Sequence, residues 1–235
     1  MLGASVTGCA ERLPTYPWRD SAHAIDLMAE RAARIETMSS PCRVILTDPN
    51  GDATQLDGAI VARMPDFLRL RAWKFSQPVL DITLTPAGLW HFTAQDLESA
   101  GEQSSPFATL TAQQLRQAWS LATGAVPRDG WTWDGSRSRR SVELQRVWES
   151  GGSINCAIDR RTLTLRHCTV RHGPDAAALT LALDRYRKVG DLVVPTRVDM
   201  RSEHGRITIL LDNLSLNDEL PPLAFDPPRR AVKRP

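Results

Sequence analysis

The chain has 235 residues, 42% of them hydrophobic and 24% charged, with a formal net charge of +2. That composition suits one large core or two small ones and excludes wholesale disorder. The near-neutral balance argues against a dedicated nucleic-acid binder, and the lack of an apolar run of about 18 residues against a membrane-spanning helix.

The first motif in chain order is Val6-Thr7-Gly8-Cys9. These four residues resemble a bacterial lipobox, in which a small residue precedes a cysteine that is acylated after cleavage. On this reading residues 1–8 are the remnant of a signal peptide, Cys9 carries the lipid, and residues 10–20 form a spacer. A secretory leader needs a basic stretch and roughly 7–15 apolar residues. Residues 1–8 supply neither in full, so the reading expects more leader upstream. Two acyl chains, at about 0.8 kcal/mol per buried methylene, make a stable anchor.

A helix is expected over residues 22–38, where Ile25, Met28, Ala29, Ala32 and Ile35 recur at helical spacing. From Cys42 the period changes to two. Segments 43–47, 56–64, 67–76, 79–85 and 89–93 read as a meander of short antiparallel strands, with turns at Asp48-Pro49-Asn50-Gly51 and Pro86-Ala87-Gly88. A second helix, from Ala112 to Thr123, interrupts them. Thr111 and Gln114 have capping-box spacing, Leu110 and Leu115 form a hydrophobic staple, and Gly124 is a natural stop. Strands resume at Trp131 and are expected over 142–148, 153–158, 162–172, 177–187, 193–202 and 206–214. The tail, residues 226–235, holds Arg229, Arg230, Lys233 and Arg234 and reads as extended and solvated. About eleven strands in one domain must curl or close. The expected fold is therefore mainly β: one strongly curved antiparallel sheet with both helices on its concave side.

The chemistry-bearing residues are sparse. Cys9, Cys42, Cys156 and Cys168 show no metal-binding spacing; setting Cys9 aside leaves one disulfide and one free thiol, or three buried thiols. His167, Cys168 and His172 do not share a strand face, so a metal site there would need a bulge. No catalytic motif stands in a usable context, so no catalytic residue, metal or cofactor is expected. Arginines cluster at Arg137, Arg139, Arg140 and Arg146, at Arg160, Arg161 and Arg166, and in the tail. They suit either anionic headgroups or a solvated sheet face.

Three stretches carry a family likeness. Residues 56–70 (Leu56-Asp57-Gly58 through Pro65-Asp66-Phe67-Leu68-Arg69-Leu70), residues 81–90 (Asp81-Ile82 through Gly88-Leu89-Trp90) and the close Asp212-Asn213-Leu214 through Ala224-Phe225-Asp226-Pro227-Pro228 resemble the LolA/LolB group of bacterial envelope proteins. That group includes LppX-type lipoproteins and the N-terminal domain of RseB. The resemblance spans about residues 22–230 and implies an unclosed half-barrel over 21–225, with a helical lid and an apolar cavity for acyl chains. Trp73, Trp90, Leu115, Trp119, Trp131, Trp133, Trp148, Leu181 and Ile209 are the candidate cavity lining; the alternative is that they simply fill the core. LolB-like members also carry an exposed apolar loop that delivers cargo into the membrane, and no segment of this sequence clearly supplies one.

The expectation is a non-enzymatic, monomeric outer-membrane lipoprotein on the periplasmic face, anchored through Cys9, that binds lipid or lipoprotein acyl chains. The alternative from another class is a structural or sensory envelope lipoprotein with a filled barrel and a protein partner. A hydrolase or metal-dependent enzyme would need polar groups converging in one cleft.

Overall fold

Side chains alternate between buried and exposed along the long strands, and that alternation sets the architecture. The computed structural model describes residues 12–94, 110–134, 140–173 and 176–234. In chain order they form α1 (Ser21–Ala33), β1 (Thr37–Thr47), β2 (Ala53–Arg63), β3 (Phe67–Lys74), β4 (Gln77–Thr85), β5 (Gly88–Thr93), α2 (Ala112–Ala122), β6 (Trp131–Asp134), β7 (Ser141–Val147), β8 (Ser153–Asp159), β9 (Leu165–Arg171), β10 (Leu179–Val189), β11 (Leu192–Ser202), β12 (Gly205–Leu211), β13 (Ser215–Leu216) and β14 (Val232–Arg234). One antiparallel sheet contains all fourteen strands in the order β14-β5-β4-β3-β2-β1-β12-β11-β10-β9-β8-β7-β6, with β13 on β1. The sheet does not close on itself, so the fold is an unclosed half-barrel with two helices among the described residues.

The expected eleven strands become fourteen because three short ones, β6, β13 and β14, extend or flank the sheet. The tail is extended, but its end is an edge strand rather than a free segment. Val232, Lys233 and Arg234 pair with His91, Trp90 and Leu89 of β5. The first helix is shorter than expected. It is capped by Asp20, whose carboxylate accepts from the His23 N–H, and it stops at Ala33. Met38 lies in β1, and Ile35 joins a small cluster with Leu192 and Val194, so the helical spacing of these residues past Ala33 is coincidental.

Even-numbered positions of β1, β2 and β3 face the core: Val44, Leu46, Leu56, Ile60, Leu68 and Leu70 are all buried. Their counterparts across the sheet include Leu181, Val198 and Ile209, in the same core cluster. The β8 and β9 strands meet at Cys156 and Cys168, which are direct cross-strand partners joined by a disulfide, with Cα atoms 4.2 Å apart. Cys42 is the free, buried thiol among the described residues. Burial, and then the nearby charge of Asp212, pushes it up to about 12, so it stays protonated and unreactive.

The β4 strand is buried on both faces, Val79 through Leu84 without a break. Its outer face is covered by the segment before the tail. The Phe225 ring packs 5.2 Å from Phe67, and Arg69 donates to the Ala224 carbonyl at 3.2 Å. Beneath that cover, Asp81 is only 5% exposed and accepts two hydrogen bonds from Arg69, at 3.1 and 2.8 Å. A second buried carboxylate, Asp199 on β11, accepts from Arg197, Arg206 and the Thr208 hydroxyl.

Burial alone would push the Asp199 carboxyl up, but hydrogen bonds from Arg197, Thr208 and Arg206 outweigh it and hold the group below the usual carboxylate range. A depressed folded-state value gives stability that is present above the unfolded value of about 3.9 and lost as pH falls through the folded one. At Asp159 burial again pushes the carboxyl up, but bonds from Thr162, Arg166 and Arg161 prevail and lower it, so it acts in the same direction. Urea unfolding of Asp199→Asn is therefore expected to show less loss of stability below about pH 4 than the parent does. Gly58 offers a packing test. A Cβ there would lie 2.8 Å from the Arg71 carbonyl oxygen and 3.1 Å from Cys42 Sγ. Gly58→Ala is expected to cost about 1–3 kcal/mol in the same assay.

Candidate functional site

The concavity of the sheet is filled by α2. Its N-terminus is fixed by a reciprocal capping box: the Gln114 N–H donates to the Thr111 hydroxyl at 3.1 Å, and the Thr111 N–H to Gln114 Oε1 at 2.9 Å. Leu115, Ala118, Trp119, Leu121 and Ala122 are buried. On the flank, Arg116 clasps two turns of the sheet. Its Nε lies 3.1 Å from Asp66 Oδ1, between β2 and β3, and an Nη donates to the Thr85 carbonyl at the end of β4, at 3.2 Å. Among the described residues few polar bonds hold this helix to the sheet, and its apolar face does most of the fastening.

Between α2 and the sheet lies an apolar slot. Ile60, Leu68, Leu70 and Ile82 line it from one half of the sheet and Val198, Met200 and Ile209 from the other. Leu115, Ala118, Trp119 and Ala122 line it from the helix. Among the described residues no charged side chain lines it. The open volume is about 20 Å³, room for about one water molecule, so the slot is filled while α2 is seated. A larger cleft, about 540 Å³, adjoins the C-terminal end of α2. Ala29, Ala32 and Ile35 from α1 and its exit, Arg63, Met64 and Pro65 from the β2–β3 turn, and Ser120, Thr123 and Val126 line it.

Of the candidate lining residues, Leu115, Trp119 and Ile209 come together in the slot. Leu181 is fully buried in the main core. Trp131 and Trp148 pack against that core as partly buried residues. Trp131 donates its Nε1–H to the Pro127 carbonyl at 2.6 Å, and Trp148 stacks on His172 with ring centroids 5.9 Å apart. Trp73 and Trp90 lie on the outer face. Trp73 is opposite in parity to Leu70 and Ala72 and pairs with Asp57; Trp90 pairs with Thr83 and lies under the Lys233 ammonium, 5.5 Å away. Trp133 pairs with Leu144, but its side chain, like Cys9 and Arg137 and Arg139, lies outside the described residues. Ile60, Leu68, Ile82 and Met200 also line the slot, and the aromatic content of the sequence does not point to them; strand parity alone marks the first three.

The histidine and cysteine trio does not assemble. Cys168 is bonded to Cys156, and no group of three potential metal ligands occurs among the described residues.

The hairpin between β3 and β4 supplies an exposed apolar tip that the sequence did not reveal. Phe75 is 88% exposed and, with Ser76, occupies the left-handed region, at φ 50° and 64°. Two-residue hairpins need such angles and usually take Asn-Gly to reach them. A bulky aromatic there is uncommon. The Lys74 ammonium lies 5.8 Å from the Phe75 ring.

No protein-family model matches the chain, and no curated protein matches it in sequence. Solved structures do. The chain is similar to a putative outer membrane lipoprotein-sorting protein domain from Vibrio parahaemolyticus, with TM-score 0.58 at 12% identity over 88% of this chain and 97% of that one. It is similar to a DUF1329 family protein from Desulfovibrio piger, with TM-score 0.61 at 10% identity over 87% and 96%. A LolA superfamily protein from Nitrosomonas europaea matches with TM-score 0.53 at 10% identity over 86% and 96%. The fold is LolA/LppX-like.

Arg116→Ala removes the clasp without touching the apolar face. Hydrogen exchange is expected to rise in residues 112–122 relative to the sheet, while global stability falls by no more than about 1 kcal/mol.

Proposed function

We propose that this chain is a non-enzymatic lipoprotein of the bacterial cell envelope, held at the periplasmic face of the outer membrane by acyl chains on Cys9. In this reading it takes up acyl chains of a lipid or a lipoprotein between α2 and the concave sheet. The observation that carries it is the slot, lined by apolar side chains alone from both halves of the sheet and from a helix that few polar bonds retain.

Magnitudes support the exchange. An acyl chain of about a dozen methylenes offers on the order of 10 kcal/mol at about 0.8 kcal/mol each. The face of α2 offers about 1.5–3 kcal/mol for each large side chain, of which it buries Leu115, Trp119 and Leu121. An incoming chain can therefore offset the outward movement of α2. The LolA-like fold supports a carrier, and the exposed Phe75 tip beside Lys74 suits transient contact with a bilayer. Candidate lining in the slot is then Leu115, Trp119 and Ile209.

The second reading, a structural or sensory lipoprotein with a protein partner, draws on the small open volume of the slot, about 20 Å³. One experiment separates the two. Protein extracted from membranes is expected to carry lipid by mass spectrometry and to take up a fluorescent fatty acid. Cys9→Ser is expected to move it out of the membrane fraction, and Phe75→Asp to slow transfer to vesicles several-fold while leaving uptake intact. Absence of both lipid and uptake would sink the first reading, and stoichiometric co-purifying envelope protein would then favour the second.

A further inference from the structure

We infer that the acyl ligand of this slot is held through a neutral ester carbonyl that accepts a hydrogen bond from the indole Nε1–H of Trp119. The inference rests on the reading of the slot as an acyl site and adds the chemistry of the ligand's head.

Trp119 is 6% exposed and lines the slot, yet its Nε1 is buried with no hydrogen-bond partner among the described residues. Buried indole N–H groups ordinarily find an acceptor, as Trp131 does with the Pro127 carbonyl at 2.6 Å. Leaving such a donor unpaired costs about 1–3 kcal/mol. Among the described residues the slot's side chains offer no good acceptor, since they are hydrocarbon apart from the thioether of Met200, whose sulfur accepts only weakly. A ligand oxygen is the missing acceptor.

The placement fits the junction between head and tail of an acyl lipid. Trp119 lies one helical turn before Thr123, about 6 Å along the axis, and Thr123 with Ser120 lines the 540 Å³ cleft. A carbonyl at Trp119 would leave the hydrocarbon in the slot and the glycerol portion in the cleft, where Ser120, Glu36 and Arg63 offer polar groups. The charge state follows from the same lining. An ionised carboxylate would be buried with no cation beside it, at a cost far above one hydrogen bond. An ester carbonyl pays little for entering.

The test compares glycerol monooleate with its oleyl ether analogue, which keeps chain and head but lacks the carbonyl, and with oleate. Affinities are read on the full chain by displacement of a fluorescent fatty-acyl ester probe. Wild type is expected to prefer the ester over the ether by about fivefold, the worth of one hydrogen bond. Trp119→Phe is expected to bind both at the ether's affinity. On wild type, the Trp119 indole ¹⁵N–¹H resonance is expected to move downfield with the ester and not with the ether, which checks the bond without any variant. An ester preference that survives in Trp119→Phe, no preference in wild type, or oleate binding tighter than the ester would each overturn the inference while leaving the slot an acyl site. Failure of every ligand to displace the probe would overturn the acyl-site reading, and the inference with it.

Discussion

An open sheet with one apolar face has to cover that face, and the rest of this structure follows from that requirement. Period-two alternation gathers the core positions of both halves of the sheet on the concave side. Closing the sheet fully would have hidden them; this one stays unclosed, so helices do the covering. The two halves of the sheet meet α2 along a single hydrocarbon surface. Cover supplied by burial alone is non-directional, so it can be exchanged for other hydrocarbon without breaking a polar network. The fold thus combines a hydrogen-bonded wall with a filling held mainly by hydrocarbon contact.

The outer face shows what keeps the wall in register. Asp81 and Asp199 are buried carboxylates on strands of opposite halves, each tied to arginines on its own face. A one-residue slip would turn β4 or β11 over and deliver a carboxylate into the hydrocarbon slot. Burying an unpaired charge costs several kcal/mol, so each carboxylate penalises the wrong pairing more than it strengthens the right one. The segment ending in Ala224 and Phe225 adds to this by holding Arg69, the partner of Asp81, through the Ala224 carbonyl.

Much of the fold was legible because local rules and tertiary structure agree. The Thr111–Gln114 box and the alternation along 207–211 are both realised. Where they part, a specific contact decides. Ile35 and Met38 continue a helical spacing but serve a side cluster and a strand. Size singles out the tryptophans, but parity decides where they point: Trp73 stands one residue from inward Ala72 and so faces out. Phe75 was hidden for another reason. Its hairpin holds angles that the sequence Lys74-Phe75-Ser76-Gln77 does not advertise, since glycine and asparagine are absent. The double burial of β4 depends on a segment more than a hundred residues away, which no local pattern reports.

The strand order carries a consequence for how the molecule comes into being. Strand β1 pairs with β2, its neighbour in sequence, and with β12, near the far end of the chain. Strands β1–β5 can zip together as they leave the ribosome, but the free edge of β1 has no partner until residues 205–211 have been synthesised. Until then the growing chain displays an unpaired edge and half of an oily surface, the combination that invites mispairing. Its sheet is therefore completed late and from both ends of the polypeptide at once. Final folding of the sheet waits on the synthesis of β12.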